Sequence, residues 1–320
     1  MRRFILSAIL IIATIAVCRA QEQELTIEAP WGNIAATLST PAGDTSTAVL
    51  IIAGSGPTDR NCNSALNLNT YAFKMLSDEL TREGFAVLRY DKRAIGLSHY
   101  PADEVPNLVF QDFIDDAALC VDYLHDVGYE RIIVAGHSEG GLVAINLALR
   151  NDIEVDGLVL LSAAGYSMET ILMRQLSDQL MPSHMGLMIS ATNIIQCLKR
   201  GEDVPEDRIP KELLSLFHPT VQPFLRSYLT TDPAELIAAI EIPVLIISGG
   251  RDIQVSVDNA ERLLASAEHG EHATFDNMSH VLKDATSSDR IEQLVSVYTN
   301  SQLPLTEGLT SRISQFINNL

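Results

Sequence analysis

Short, nearly uninterrupted apolar runs alternate along this chain with stretches in which apolar positions recur every three to four residues. Ala48–Ala53, Phe85–Tyr90, Arg131–Ala135, Gly157–Ser162 and Pro243–Ser248 are of the first kind, the pattern of strands covered on both faces. Tyr71–Glu83, Phe110–Asp126 and Leu142–Arg150 are of the second and predict helices. This alternation predicts a mostly parallel sheet with helices on both faces. Near the start, Leu25–Ile27 and Asn33–Ser39 flank the turn-rich Ala29-Pro30-Trp31-Gly32 and predict a hairpin. From Ala163 to about Ile240 the rhythm breaks. Helical patterns replace strands there, cut into short pieces by Pro182, Pro205, Pro210, Pro219, Pro223 and Pro233. The reading is one α/β domain carrying a helical insertion at about 166–240.

One apolar run ends in unusual chemistry. Arg131–Ala135 leads into Gly136-His137-Ser138-Glu139-Gly140, a G-x-S-x-G element where a strand turns sharply into a helix. The two glycines leave room for a tight turn that lifts the Ser138 hydroxyl above the sheet and points a helix N-terminus at it. A serine hydroxyl needs a base to take its proton and a carboxylate to orient that base. Both follow in sequence. Asp252 comes after the Pro243–Ser248 run and two glycines, and His280 comes after the short strand Ala273–Phe275. Residues at strand ends of parallel sheets are where sites form. Asp258 and Asp276 compete with Asp252 as the acid, and Asp252 could instead cap a helix beginning near Val257.

These motifs, in the order Ser138, Asp252, His280, are joined by Gly54-Ser55-Gly56-Pro57-Thr58-Asp59-Arg60, Arg89-Tyr90-Asp91-Lys92-Arg93 and Asn277–His280. Together they resemble, over residues 24–320, an α/β-hydrolase of the serine esterase type, similar to small bacterial carboxylesterases with a helical cap. The resemblance implies an α/β-hydrolase fold, a cap over the site, and cleavage of carboxylic esters with short to medium acyl chains through an acyl-enzyme on Ser138. That reaction class requires no cofactor and no metal. One departure is Ala94, which stands where relatives carry glycine after Asp-Lys-Arg. The oxyanion donors expected for such chemistry are the backbone N–H of Glu139 and one from the loop after Ala53. Pro57 has no N–H, which leaves Ser55 or Gly56, with Ser55 the preferred candidate. Asp59 and Arg60 are read as a loop-stabilising pair. Two other functions keep the scaffold. One is a serine aminopeptidase, with Glu169, Glu202, Asp203 or Glu206 holding a substrate amine; the other is a non-catalytic binding protein.

Charge narrows the partners. The chain has 22 Lys and Arg against 41 Asp and Glu, a net charge of −19. Nucleic acid is disfavoured as a partner, because phosphate binding needs clustered cations; a small-molecule ester is the expected ligand. Glu268-His269-Gly270-Glu271-His272 has metal-like composition but is read as a solvated loop ahead of a strand. Five of the eight methionines, Met168, Met173, Met181, Met185 and Met188, fall in the insertion. They are expected to pack its own core, with lining of an acyl pocket as the alternative.

The N-terminus reads as an export signal: Met1-Arg2-Arg3, then an apolar segment of roughly 14 residues, short of the ~20 a spanning helix needs. No stable membrane span is expected, and the destination is periplasmic or extracellular. Cleavage after Ala20 removes Arg2, Arg3 and Arg19 with no acid, taking the net charge to −22. It leaves Cys62, Cys120 and Cys197, too few for a disulfide framework. Cys120 falls in a helical pattern and reads as a small buried apolar residue. A lipid anchor on Cys18 is the minority reading. Intact-mass analysis of the protein produced in a bacterial host is expected to show a chain starting at Gln21; an acylated Cys18 terminus would contradict it.

Overall fold

A computed structural model describes residues 20–320, so the expected export segment through Arg19, with Cys18, lies outside the described residues. The strands are β1 (Gln21–Ala29), β2 (Gly32–Thr40), β3 (Thr47–Ile52), β4 (Asn63–Ser64), β5 (Leu68–Asn69), β6 (Ala86–Tyr90), β7 (Arg131–His137), β8 (Gly157–Leu161), β9 (Val244–Gly249) and β10 (Gly270–Phe275). Eight of them form one sheet in the order β1-β2-β6-β3-β7-β8-β9-β10, and β4 and β5 form a small separate pair. β2 is antiparallel to both neighbours, and every pairing from β6 to β10 is parallel. This is the mostly parallel α/β sheet expected from the apolar runs. The first strand begins at Gln21, earlier than the predicted Leu25, because its register with β2 runs the full length of the hairpin, Gln21 opposite Thr40.

The period of two along the strands sends alternate side chains into two cores. Ala48, Leu50 and Ile52 of β3 face one with Ile132 and Val134 of β7; Val49 and Ile51 face the other with Ile133 and Ala135. The first core is closed by α2 (Phe110–Asp126), α3 (Glu139–Ala148) and α9 (Val257–Ser266). The second is closed by α1 (Ala72–Arg82) and the C-terminal helix, Leu309–Asn318. Burial on both faces explains why these strands read as continuous apolar runs.

Between β8 and β9 the chain leaves the sheet and forms α4 (Met168–Leu180), α5 (Met185–Lys199), α6 (Leu214–Phe217), α7 (Gln222–Tyr228) and α8 (Pro233–Ile237). Leu172, Leu176, Ile194, Ile195, Leu198 and Phe217 give this layer a core of its own. The methionines divide: Met168, Met173 and Met188 pack against that core, whereas Met181 and Met185 are 40% and 54% exposed. The C-terminal part of the sheet domain continues with α10 (Arg290–Ser296) before Leu309–Asn318, which is α11. No helix among the described residues is long and apolar enough to cross a membrane.

The hairpin is fastened by a buried polar cluster. Asp116 on α2 accepts hydrogen bonds from Trp31 Nε1 at 3.0 Å and from Arg93 Nε and Nη2 at 2.7 and 2.9 Å. The Arg93 guanidinium also lies 4.7 Å from the Trp31 ring. Beside it, Ala94 holds φ 59, left-handed backbone in which glycine would be at ease, so the departure noted in the sequence sits at a strained turn. Asp116→Ala leaves a buried guanidinium short of its main counterion and is expected to lower stability by about 3 kcal/mol. A thermal midpoint equal to that of the wild type would contradict this role.

Candidate active site

The turn at Ser138 is set by backbone packing. Ser138 has φ 54 and ψ −118, and its N–H donates to Leu161 O of β8 at 2.9 Å. A Cβ on Gly136 would lie 2.2 Å from Gly140 O, and one on Gly140 would lie 2.5 Å from Ile52 O, so neither position admits a side chain. Only with both glycines can α3 start against the end of β3 directly behind the serine.

Asp252 and His280 meet as the sequence order implied. His280 Nδ1 donates to Asp252 Oδ2 at 2.8 Å, while the N–H groups of Gln254 and Val255 donate to Asp252 Oδ1 at 2.7 and 2.9 Å. The acid side chain is fully buried and His280 nearly so. A carboxylate oxygen only accepts, so this hydrogen bond is donated by Nδ1–H and turns Nε2 away from Asp252. The two competing acids sit elsewhere: Asp258 pairs with Arg174 of α4 at 2.8 Å, and Asp276 is exposed. Ser138 and His280 share the wall of one recess of about 220 Å³ with Gly54–Thr58. No hydrogen bond joins them, a contact that in many free enzymes tightens only around substrate.

The neighbouring His137 is structural. It is buried, donates Nε2–H to His280 O at 2.7 Å, and packs its ring against Phe73 and His280. Burial, aided by the nearby His280, pushes its pKa down to about 3.

A larger cavity of about 650 Å³ opens on the other side of the serine, under α4 and α7. Phe113, Leu142, Ile171, Phe224, Leu225 and Tyr228 make it apolar, and it reaches Ser55, Gly56, Ser138 and Glu139. Met168 is the methionine that lines it; Met185 and Met188 do not. Glu139 faces this cavity rather than bulk solvent, and its Oε2 accepts from Tyr228 OH at 2.6 Å. A third, polar cleft of about 930 Å³ runs past Asp252, Gln254, Arg174, Asp178 and Arg290. Gln254 borders all three spaces, and its backbone carbonyl accepts a hydrogen bond from the Gln175 side-chain amide of α4 at 3.2 Å. The sequence carried no signal for Gln254 or Tyr228, since neither belongs to a short motif.

Other residues singled out in the sequence are placed away from the chemistry. Asp59 Oδ1 accepts from the N–H groups of Asn61 and Asn63, and Arg60 pairs with Glu24 at 2.6 Å. His272, read as part of a loop, lies inside β10 with Nε2 2.9 Å from Ser248 Oγ; the strand begins at Gly270 because it follows β9 in parallel register from Val244. The three cysteines among the described residues are free; burial raises the Cys62 pKa to about 12 and pushes that of Cys120 well up from its ordinary value, which keeps both as unreactive thiols.

The strand order, the strained serine between β7 and α3, and the Asp252–His280 pair beyond β9 and β10 define an α/β-hydrolase. The sequence profile of the serine aminopeptidase S33 family matches residues 67–284, and the chain belongs to that family. Esterase EstD of Thermotoga maritima is 28% identical over 239 residues, which cover 73% of this chain and 54% of that protein. The chain therefore spans about half the length of that relative. Among solved structures, the Pyrococcus furiosus esterase Pf2001 superposes with a TM-score of 0.59 at 20% identity, covering 94% of this chain and 91% of that one. Proline iminopeptidase of Mycobacterium smegmatis gives 0.58 at 16% identity, with 93% and 98% covered.

The sign of one pH effect follows from His137. Its folded pKa is depressed below the unfolded value of about 6.5, so its contribution to stability is present above that pH and is lost as pH falls toward 3. Over that window the wild type is expected to lose up to about 1.4 kcal/mol per pH unit from this group. Urea unfolding across the same range should show a shallower slope for His137→Asn; identical slopes would contradict the assignment.

Proposed function

We propose that the protein is a serine hydrolase of carboxylic esters, acting through an acyl-enzyme on Ser138. The observation that carries this reading is His280, hydrogen-bonded to Asp252, lining one recess with a strained, pocket-facing serine. Ser138 Oγ attacks the acyl carbonyl while His280 Nε2 takes its proton and returns it to the departing alcohol. Asp252 keeps the other ring nitrogen protonated and stabilises the imidazolium. The Glu139 N–H, at the start of α3, and the Ser55 N–H receive the oxyanion charge. Water then repeats the sequence on the acyl-enzyme with His280 as base.

Esters are favoured over peptides for two reasons. The space next to Ser138 is lined mainly by apolar side chains, suited to an acyl chain. Three of the four cap acids that would hold a substrate amine are already engaged: Glu169 with Lys199 at 2.8 Å, Glu202 with Arg200 at 2.8 Å, and Asp203 with Arg226 at 2.6 Å; the fourth, Glu206, has an exposed side chain. The family description supports the aminopeptidase as the second reading. An exported location follows from the N-terminal segment and the acidic composition, and stands as part of the proposal.

The test is hydrolysis of p-nitrophenyl esters from C2 to C12 beside aminoacyl-nitroanilides, with Ser138→Ala as control. Ester turnover peaking at short to medium chains and falling on the order of 10⁴-fold or more in the variant is expected. Anilide turnover exceeding ester turnover would favour the peptidase, and activity independent of Ser138 would overturn the mechanism.

A further inference from the structure

Lys92, just beyond β6, is a buried lysine, 4% exposed, whose hydrogen bonds both go to backbone carbonyls: Gly54 O at 2.5 Å and Gly56 O at 2.9 Å. Its ammonium also lies 5.3 Å from the centre of the Phe113 ring. Burying an ammonium is costly, and a methionine of similar length would fill the same space without that cost. The two carbonyls it grips belong to the loop beside the nucleophile. A Cβ on Gly54 would stand 3.0 Å from Ser138 Cβ and 3.1 Å from His137 Nδ1, so this backbone is pressed directly onto the serine turn. Gly56, at φ 73, reverses the loop so that two carbonyls can face one cation.

Peptide geometry then decides what the grip achieves. In a trans peptide the C=O and N–H point in opposite directions, so fixing Gly54 O fixes the Ser55 N–H on the far side of the same plane. The plane that begins with Gly56 O ends at Pro57, which has no N–H. The plane between them, carrying the Gly56 N–H, is held differently: its carbonyl, Ser55 O, accepts from Thr58 Oγ1 at 3.3 Å. Of the two planes under Lys92, only the one with Ser55 holds a donor. Ser55, Ser138, Glu139 and Lys92 all border the same cavity.

We propose that Lys92 is a positioning residue for the oxyanion site: it holds the loop carbonyls so that the Ser55 N–H, not that of Gly56, opposes the Glu139 N–H where charge develops. Its cation stands behind the Ser55 peptide and adds to the positive potential at that point. The inference rests on acyl transfer at Ser138 but not on whether the substrate is an ester or a peptide. Burial lowers the pKa of Lys92 and the charge of Glu139 opposes that shift.

The experiment measures the rate at which a fluorophosphonate labels Ser138 in wild type and in Lys92→Met. In that reaction Ser138 Oγ forms the P–O bond, fluoride leaves, and His280 takes the serine proton. Lys92→Met is expected to label about 10²-fold more slowly, the order seen when an oxyanion donor is lost, and to lower kcat for esters with KM nearly unchanged. Equal labelling rates in a folded variant would overturn the proposal, as would a rise in KM with kcat unchanged. A crystal structure of the labelled wild type reads the geometry even if Lys92→Met fails to fold. The phosphonyl oxygen should accept from both Ser55 and Glu139 N–H groups, and an oxygen turned to Gly56 or to neither overturns the assignment. Wild type that labels but cleaves no ester rejects the ester reading and leaves this inference to the rate and geometry; wild type that does not label at all overturns both.

Discussion

Everything in the site depends on one close backbone contact, the start of α3 pressed against the end of β3. Gly140 stands so near the Ile52 and Ala53 carbonyls that the chain must turn within a single residue, and that residue is Ser138. A non-glycine residue at φ 54 and ψ −118 is strained by about 1–3 kcal/mol, and such a conformation persists only where its surroundings over-determine it. Here they do. Ser138 N–H is held by β8, its neighbours lie in two sealed cores, and α3 is buried along most of its length. The sheet's stability is thus converted into a fixed direction for one hydroxyl.

The electrostatics follow the same logic of imposed geometry. Asp252 is fully buried yet receives three hydrogen bonds, two from backbone N–H groups of its own loop and one from His280. These three donors leave neither carboxyl oxygen of Asp252 without a partner in a site closed to water. His137, one residue before Ser138, is kept neutral by its burial and spends its N–H on the His280 carbonyl, fastening the His280 loop to the strand that carries the serine.

Much of this was legible in the chain, for a physical reason: strands buried on both faces are written as apolar runs, and a tight strand-to-helix turn demands glycines at fixed spacing. The sheet, the insertion after β8 and the meeting of Asp252 with His280 all followed from those local rules. What escaped depended on distant packing. The β9 register drew His272 into a strand, and α7 brought Tyr228 onto Glu139 across 89 residues of sequence. Lys92 was visible only as one letter in Arg89–Arg93, because nothing local indicates which carbonyls a lysine will reach. Met185 and Met188, plausible pocket residues by composition, lie on faces of α5 turned away from the cavity beside Ser138, a matter of helix rotation that methionine content does not encode.

The Tyr228–Glu139 hydrogen bond has a bearing on how the helical layer is held. Tyr228 is stacked on Phe110 with ring centres 4.5 Å apart, and its hydroxyl donates to Glu139, the residue that follows Ser138. Lifting α7 would break this buried hydrogen bond, about 1.5–3 kcal/mol, together with the aromatic stack on Phe110. The helical layer is therefore tied to the sheet domain at the residue that follows Ser138, and three spaces border Gln254 beside it. The Gln175 side chain on the backbone carbonyl of Gln254 is a further tie between the helical layer and the sheet domain, so that layer is joined to the loops around Ser138 from two of its helices, α4 and α7.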